Sequence, residues 1–266
     1  MTIMDVLKRP VAHRGLHDID RGIPENSPSA FRRACEHGFA IECDIQLSGD
    51  DVPMVIHDAN IDRLTEHSGK VSQISADQIG CIPLKDSKGD DTTLRLDELL
   101  QLVDARVPIL VEMKSQASVE RDKLMAQKAA EITNSYKGLL SFISFSPDLL
   151  RHVRKAGFKG PLGIVVARFD TPEFKTTLSP WQRFNRRHLL HFPITRFNFI
   201  DCDHKALKMT MIRLFRALGM PVATWTITSP EDAKAAAEHC DQIAFEGYIP
   251  KVKSEKTKQE KASASL

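Results

Sequence analysis

From residue 109 onward the sequence alternates short apolar runs with longer amphipathic stretches, and that rhythm restricts the chain to few architectures. The predicted strands start at Ile109, Leu140, Leu162, Phe197, Val222 and Gln242. Helical or mixed sequence follows each but the last: 119–136, 147–156, the long segment 168–196, 205–218 and 230–239. Upstream, 11–15 and 41–46 read as two more strands. Between them, 28–37 reads as a helix capped by Ser27, with Pro28 at its first position and Gly38 as its stop. Strands separated by helical stretches pair in parallel, and eight such units favour a closed (β/α)8 TIM barrel. A doubly wound open sheet is the alternative.

The exception to this rhythm follows the second strand. Val52 to His57 returns as an extended run after the turn Gly49-Asp50-Asp51, so 40–57 is expected to form a hairpin-like extension. Residues 58–96 are polar and irregular, with Ser75 and Asp97 as expected helix caps. The expectation is a single domain, 1–250, with a small inserted segment at about 58–108 and a disordered tail, 251–266, rich in Lys, Ser, Glu and Gln.

A formal net charge of +2 and two tyrosines among 266 residues give no footing for nucleic-acid binding. No apolar run approaches a membrane span, and the first ten residues do not read as a signal peptide. The five cysteines are scattered without zinc spacing, and His188 and His191 lack zinc spacing too. Reduced, buried thiols and a cytoplasmic location are expected.

The chemistry concentrates in Ile41-Glu42-Cys43-Asp44-Ile45-Gln46. Side chains on a strand alternate faces, so Glu42 and Asp44 point one way and Ile41, Cys43 and Ile45 the other. Two carboxylates on a core strand repel each other and resist burial, and a hard divalent cation would resolve the conflict. An ion-paired network with Arg14 and Lys114 would resolve it as well. Active groups of such barrels sit at the carboxyl ends of the strands. Those ends carry His13-Arg14, then His57-Asp58 on the returning arm, then Glu112 and Lys114 on one face, then Trp225. Three carboxylates, a divalent metal, Lys114 and Arg14 sum to about +1, which one phosphodiester anion would neutralise.

These residues stand in a recognisable order. His13-Arg14-Gly15 is followed by Pro24-Glu25-Asn26-Ser27, Ile41-Glu42-Cys43-Asp44, His57-Asp58, Asp62-Arg63-Leu64-Thr65, Glu112-Met113-Lys114, Ser144-Phe145-Ser146 and Trp225-Thr226. The ordered set resembles the glycerophosphodiester phosphodiesterase family over about residues 11–245. The resemblance implies a (β/α)8 barrel with a small insertion and metal-dependent hydrolysis of glycerophosphodiesters to sn-glycerol 3-phosphate and an alcohol. It implies Glu42, Asp44 and Glu112 as ligands of Mg2+ or Ca2+, His13 and His57 as the catalytic pair, Arg14 and Lys114 as phosphate binders and Trp225 at the substrate pocket. We assign His57 as general acid and His13 as general base. Cys43 departs from an apolar position, but on the outward face. Phe245-Glu246 replaces the family's usual Thr-Asp pair, which leaves that rim without an assigned role.

Segment 168–196 interleaves Arg168, Lys175, Arg183, Arg186 and Arg187 with Phe169, Phe174, Trp181, Phe184 and Phe192. One reading is a barrel helix with a solvated basic face. The other is a lid that meets an acyl chain or an anionic membrane surface, which would favour lysophospholipids in a lysophospholipase-D-like reaction. A non-catalytic barrel used for binding is a third reading.

Overall fold

The computed structural model describes residues 2–251; the expected tail falls on 252–266, outside the described residues, apart from its first residue. Eight strands close a parallel barrel: β1 (Val11–Ala12), β2 (Ala40–Leu47), β4 (Ile109–Met113), β5 (Leu140–Ser144), β6 (Leu162–Val166), β7 (Phe199–Asp203), β8 (Val222–Ile227) and β9 (Gln242–Phe245). Each pairs with the next in this order, and β1 also pairs with β9, which shuts the ring. The remaining strand, β3 (Pro53–Val55), runs antiparallel to β2 and extends it, as the hairpin-like pattern predicts.

Period-two alternation divides the barrel residues. Ile41, Cys43, Ile45, Val111 and Met113 face outward and pack into the main core beneath the helices. The inward positions form layers. The lower layer is apolar: Val11, Ala40, Leu110, Val165, Phe199 and Ala223 meet there, and the short helix Ile3–Val6 joins them from below. Space for Phe199 comes from Gly163, where an added Cβ would lie 2.4 Å from the Phe199 ring. The upper layer is polar and forms the site.

Between β2 and β4 the chain departs from the barrel rhythm. Met54, Ile56, Ile61, Val71, Ala76 and Ile79 form a small cluster separate from the main core. Its helix Ala76–Gly80 is capped by Ser75 as expected. The next helix, Leu96–Val103, starts from Arg95 rather than Asp97; Glu98 returns a carboxylate to the Arg95 amide, and Asp97 lies in the first turn. That helix buries Leu96, Leu99, Leu100 and Val103 in the barrel core, so the excursion proper ends before it.

Two helical expectations need correction. The stretch 205–218 is not continuous: a 3-10 turn at His204–Ala206 precedes a helix at Thr210–Ala217, because Ala206 and Leu207 turn into the core between them. Segment 168–196 is three short helices, Pro172–Thr177, Pro180–Arg187 and Phe192–Thr195, each opened by a proline in its first turn, rather than one barrel helix. All five cysteines are free, but Cys81 is exposed just past the helix Ala76–Gly80, against the expectation of burial.

Candidate active site

The carboxyl end of the barrel opens into a cavity of about 820 Å3. All eight residues singled out from the sequence, His13, Arg14, Glu42, Asp44, His57, Glu112, Lys114 and Trp225, lie in it or directly against its wall. Strand register explains the acidic floor. Asp44 and Glu112 are direct partners on adjacent parallel strands, and Glu42 lies two residues below Asp44 on the same face. Glu42, Asp44 and Glu112 each offer an oxygen, all within 4.8 Å of one another.

The loop after β1 locks this floor from above. Arg14 adopts a left-handed backbone (φ 53°), and its N–H donates to Glu42 Oε2 at 2.9 Å. Gly15 follows at φ 79°, where a Cβ would collide with Ala30 at 2.9 Å, so only glycine permits the approach. Asn26, also left-handed, donates from Nδ2 to Asp44 Oδ2 at 3.0 Å.

Both cations expected to bind phosphate are already engaged with the acids. Lys114 Nζ stands 2.8 Å from Asp44 Oδ1 and 2.8 Å from Glu112 Oε1. Arg14 donates from Nη1 to Glu25 Oε1 at 2.9 Å, and its Nε lies 3.5 Å from Asp44 Oδ2. Burial opposes the charge on Asp44, but Lys114, His57 and Arg14 outweigh it and hold that carboxyl well below the usual range. Burial pushes Glu42 the other way, well above its ordinary value, and the charges of Asp44 and Glu112 add to the shift. The ion-paired network therefore exists and is incomplete: three acids share two cations, and neither Lys114 Nζ nor the Arg14 guanidinium pairs with Glu42. A hard divalent cation fits this donor set, because three clustered carboxylate oxygens would bind it and it would supply the missing positive charge.

Both histidines are oriented by carboxylates. His13 Nδ1 lies 2.8 Å from Glu246 Oε2, and His57 Nδ1 lies 2.7 Å from Asp58 Oδ1. Hydrogen bonds from His13 and His17 hold the Glu246 carboxyl well below its usual range. Partial burial opposes the charge on Asp58, but hydrogen bonds from Arg63 and His57 outweigh it and lower its value. Ionised carboxylates at both Nδ1 atoms favour the tautomer that carries its proton on Nδ1 and leaves the Nε2 lone pair free. On His13, Nε2 lies 3.9 Å from Glu42 Oε2. Gln46 fixes the His57 backbone by donating from Nε2 to its carbonyl at 2.8 Å.

The opposite wall is aromatic. Trp225 meets Phe145 edge-on at 5.8 Å, and Phe145 meets Phe174 at 5.7 Å. Trp225 Nε1 donates to the Asp201 carbonyl at 3.3 Å. The Asp201 carboxyl also lines the cavity; burial, with Glu112 adding, pushes it up to about 8, so it is protonated at neutral pH. Sequence reasoning assigned no role to Glu246, Phe145 or Phe174. The parity of β9 carries a signal for Glu246: Ala244 points inward, so the residue two further on returns to the same face.

An acidic cluster able to hold a cation, beside two oriented imidazoles at the carboxyl end of a barrel, is an arrangement suited to the hydrolase class. The family model described as the glycerophosphoryl diester phosphodiesterase family matches residues 13–243, and the chain belongs to this family of phosphodiesterases. A glycerophosphodiester phosphodiesterase of Caldanaerobacter subterraneus is 27% identical over 241 residues, covering 84% of this chain and 86% of that protein. Glycerophosphodiester phosphodiesterase 1 of Bos taurus is 37% identical over 71 residues, which span only 26% of this chain and 20% of the bovine protein. Among solved structures, an Oleispira antarctica phosphodiesterase in complex with the product sn-glycerol-3-phosphate superposes with a TM-score of 0.75 at 18% identity, covering 92% of this chain and 95% of that one. A Thermotoga maritima glycerophosphodiester phosphodiesterase gives 0.65 at 23% identity, covering 89% and 94%. These likenesses show the same barrel fold. Among the described residues, no helix is long and apolar enough to cross a membrane.

Proposed function

We propose that the chain is a metal-dependent glycerophosphodiesterase that releases sn-glycerol 3-phosphate and an alcohol, acting in the cytoplasmic breakdown of phospholipid-derived diesters. The observation that carries this reading is the cluster of Glu42, Asp44 and Glu112, three acids served by two cations, in one cavity with two imidazoles whose Nδ1 atoms are held by carboxylates. Mg2+ or Ca2+ bound there by the three carboxylates would polarise a phosphoryl oxygen. With the cation bound and Glu42 ionised, the floor carries a charge of about +1 with Lys114 and Arg14, matched to one diester anion. His13, the more enclosed imidazole, accepts the proton of the attacking hydroxyl at Nε2. His57 is more open to solvent and donates from Nε2 to the departing alcohol. Trp225 and Phe145 supply an apolar side against which the carbon skeleton packs.

The lysophospholipase-D-like alternative draws support from Trp181, Phe184 and Ile194, which are 64%, 48% and 65% exposed on segment 168–196. A purely binding barrel fits poorly with two carboxylate-oriented histidines. One assay separates the three: release of the free alcohol, choline or ethanolamine, from glycerophosphocholine, glycerophosphoethanolamine and lysophosphatidylcholine, with Mg2+, Ca2+ or chelator. We expect metal-dependent release from the first two. Release only from the lysolipid selects the alternative, and none under any condition rejects catalysis. Absence of co-sedimentation with anionic vesicles at low salt rejects membrane contact through 168–196.

A further inference from the structure

Beside the reaction cavity lies a second hollow of about 380 Å3. It is lined by Arg168, Arg187, His188, Lys205 and Lys208, together with the start of the helix Thr210–Ala217, and no acidic residue lines it. Arg168 and Lys205 line both hollows, so the two are contiguous. Among the described residues Arg168 pairs with Asp170, whereas no carboxylate comes within ion-pair distance of Arg187, Lys205 or Lys208. Arg187 is nonetheless positioned, donating from Nη1 to the Arg168 carbonyl at 3.1 Å. The helix Thr210–Ala217 has Met209 at its N-cap, which makes no side-chain cap, and Met209, Thr210 and Met211 of this helix start line the hollow. Three uncompensated cations and an uncapped helix start converge on one concavity, and that combination selects a multiply charged anion.

We propose that this hollow is a subsite for a second phosphate carried by the alcohol portion of the substrate, so that the preferred diester is one whose alcohol is itself phosphorylated. The inference rests on the catalytic reading above and names a substrate class for it. The diester phosphorus sits over the acidic floor, the alcohol passes between Arg168 and Lys205, and its distal phosphate reaches Arg187, Lys208 and the amides of Thr210 and Met211. A cationic alcohol such as choline gains nothing from this wall.

The test compares glycerophosphoinositol with glycerophosphoinositol 4-phosphate in the wild type and in the double variant Arg187→Gln/Lys208→Ser, neither residue of which lines the reaction cavity. The wild type should favour the phosphorylated substrate by about tenfold or more in kcat/KM, chiefly through KM, and the double variant should lose that preference while handling glycerophosphoinositol as before. Equal use of both substrates by the wild type, or a preference that survives in the variant, overturns the subsite. Calorimetry with inositol 4-phosphate against inositol keeps the subsite testable if neither diester is turned over: binding of the phosphate form alone, lost in the variant, upholds the subsite while the catalytic reading fails, and equal binding by the two proteins sinks the subsite. A variant that loses affinity for phosphoinositide vesicles yet keeps the substrate preference also overturns it, in favour of a lipid headgroup.

Discussion

Glu246 holds His13 by a 2.8 Å contact between Oε2 and Nδ1 that joins the last strand end to the first, across 233 residues of sequence. The contact makes closure of the barrel a condition for a correctly aimed imidazole. Glu246→Gln should therefore lower kcat by about 10- to 100-fold with little change in KM, since in the proposed reaction Glu246 aims the ring and makes no contact with the substrate. Steady-state kinetics check this. A KM effect alone would place Glu246 in binding instead.

The same carboxylate gives a pH signature. Its folded value is depressed by His13 and His17. Its contribution to stability is therefore complete above the unfolded value of about 4.3, declines as pH falls below that, and vanishes below the folded value. Thermal melts of wild type and Glu246→Gln should differ at about pH 7, and the gap should begin to narrow only below about pH 4.3, closing as pH approaches the depressed folded value. A gap that widens on acidification contradicts the assignment.

The three floor acids should respond differently to neutralisation. Burial and the neighbouring charges of Asp44 and Glu112 disfavour an ionised Glu42, so Glu42→Gln should leave metal-free stability unchanged or higher. Asp44→Asn removes one of the two carboxylates that hold the half-buried Lys114 and should cost about 2 kcal/mol. Both should reduce activity about a thousandfold and abolish the rise in Tm on adding Mg2+ or Ca2+. Denaturation with and without chelator measures each effect.

For His57 the expected signature lies in the leaving group. His57→Ala should lose far more activity on alkyl diesters than on an ester with a strongly acidic leaving group, which departs without a proton. Equal losses on both would remove the acid role.

Much of this was legible beforehand because the barrel enforces parity. Glu42 with Asp44, and Glu112 with Lys114, occupy alternate positions on single strands, so their common direction follows from the sequence, and eight strand ends placed them on one rim. Glu246 was harder to read. It follows a short strand, and its partner His13 is chosen by ring closure, which no local pattern encodes. The break at Leu207 and the three short helices of 168–196 were hidden for a related reason: apolar spacing there satisfies contacts with the core rather than one continuous helix face.

Arg63 stands in the excursion that leaves the barrel after β2, yet its Nη1 and Nη2 donate to Glu25 at 2.9 and 2.8 Å and its Nε lies 2.6 Å from Asp58. Glu25 in turn holds Arg14, and Asp58 holds His57. One guanidinium thus tethers both flanks of the reaction centre to a module with its own miniature interior. Such a module can drift in length and surface only while it keeps that grip, and replacing it wholesale would loosen an imidazole and an arginine in the same stroke.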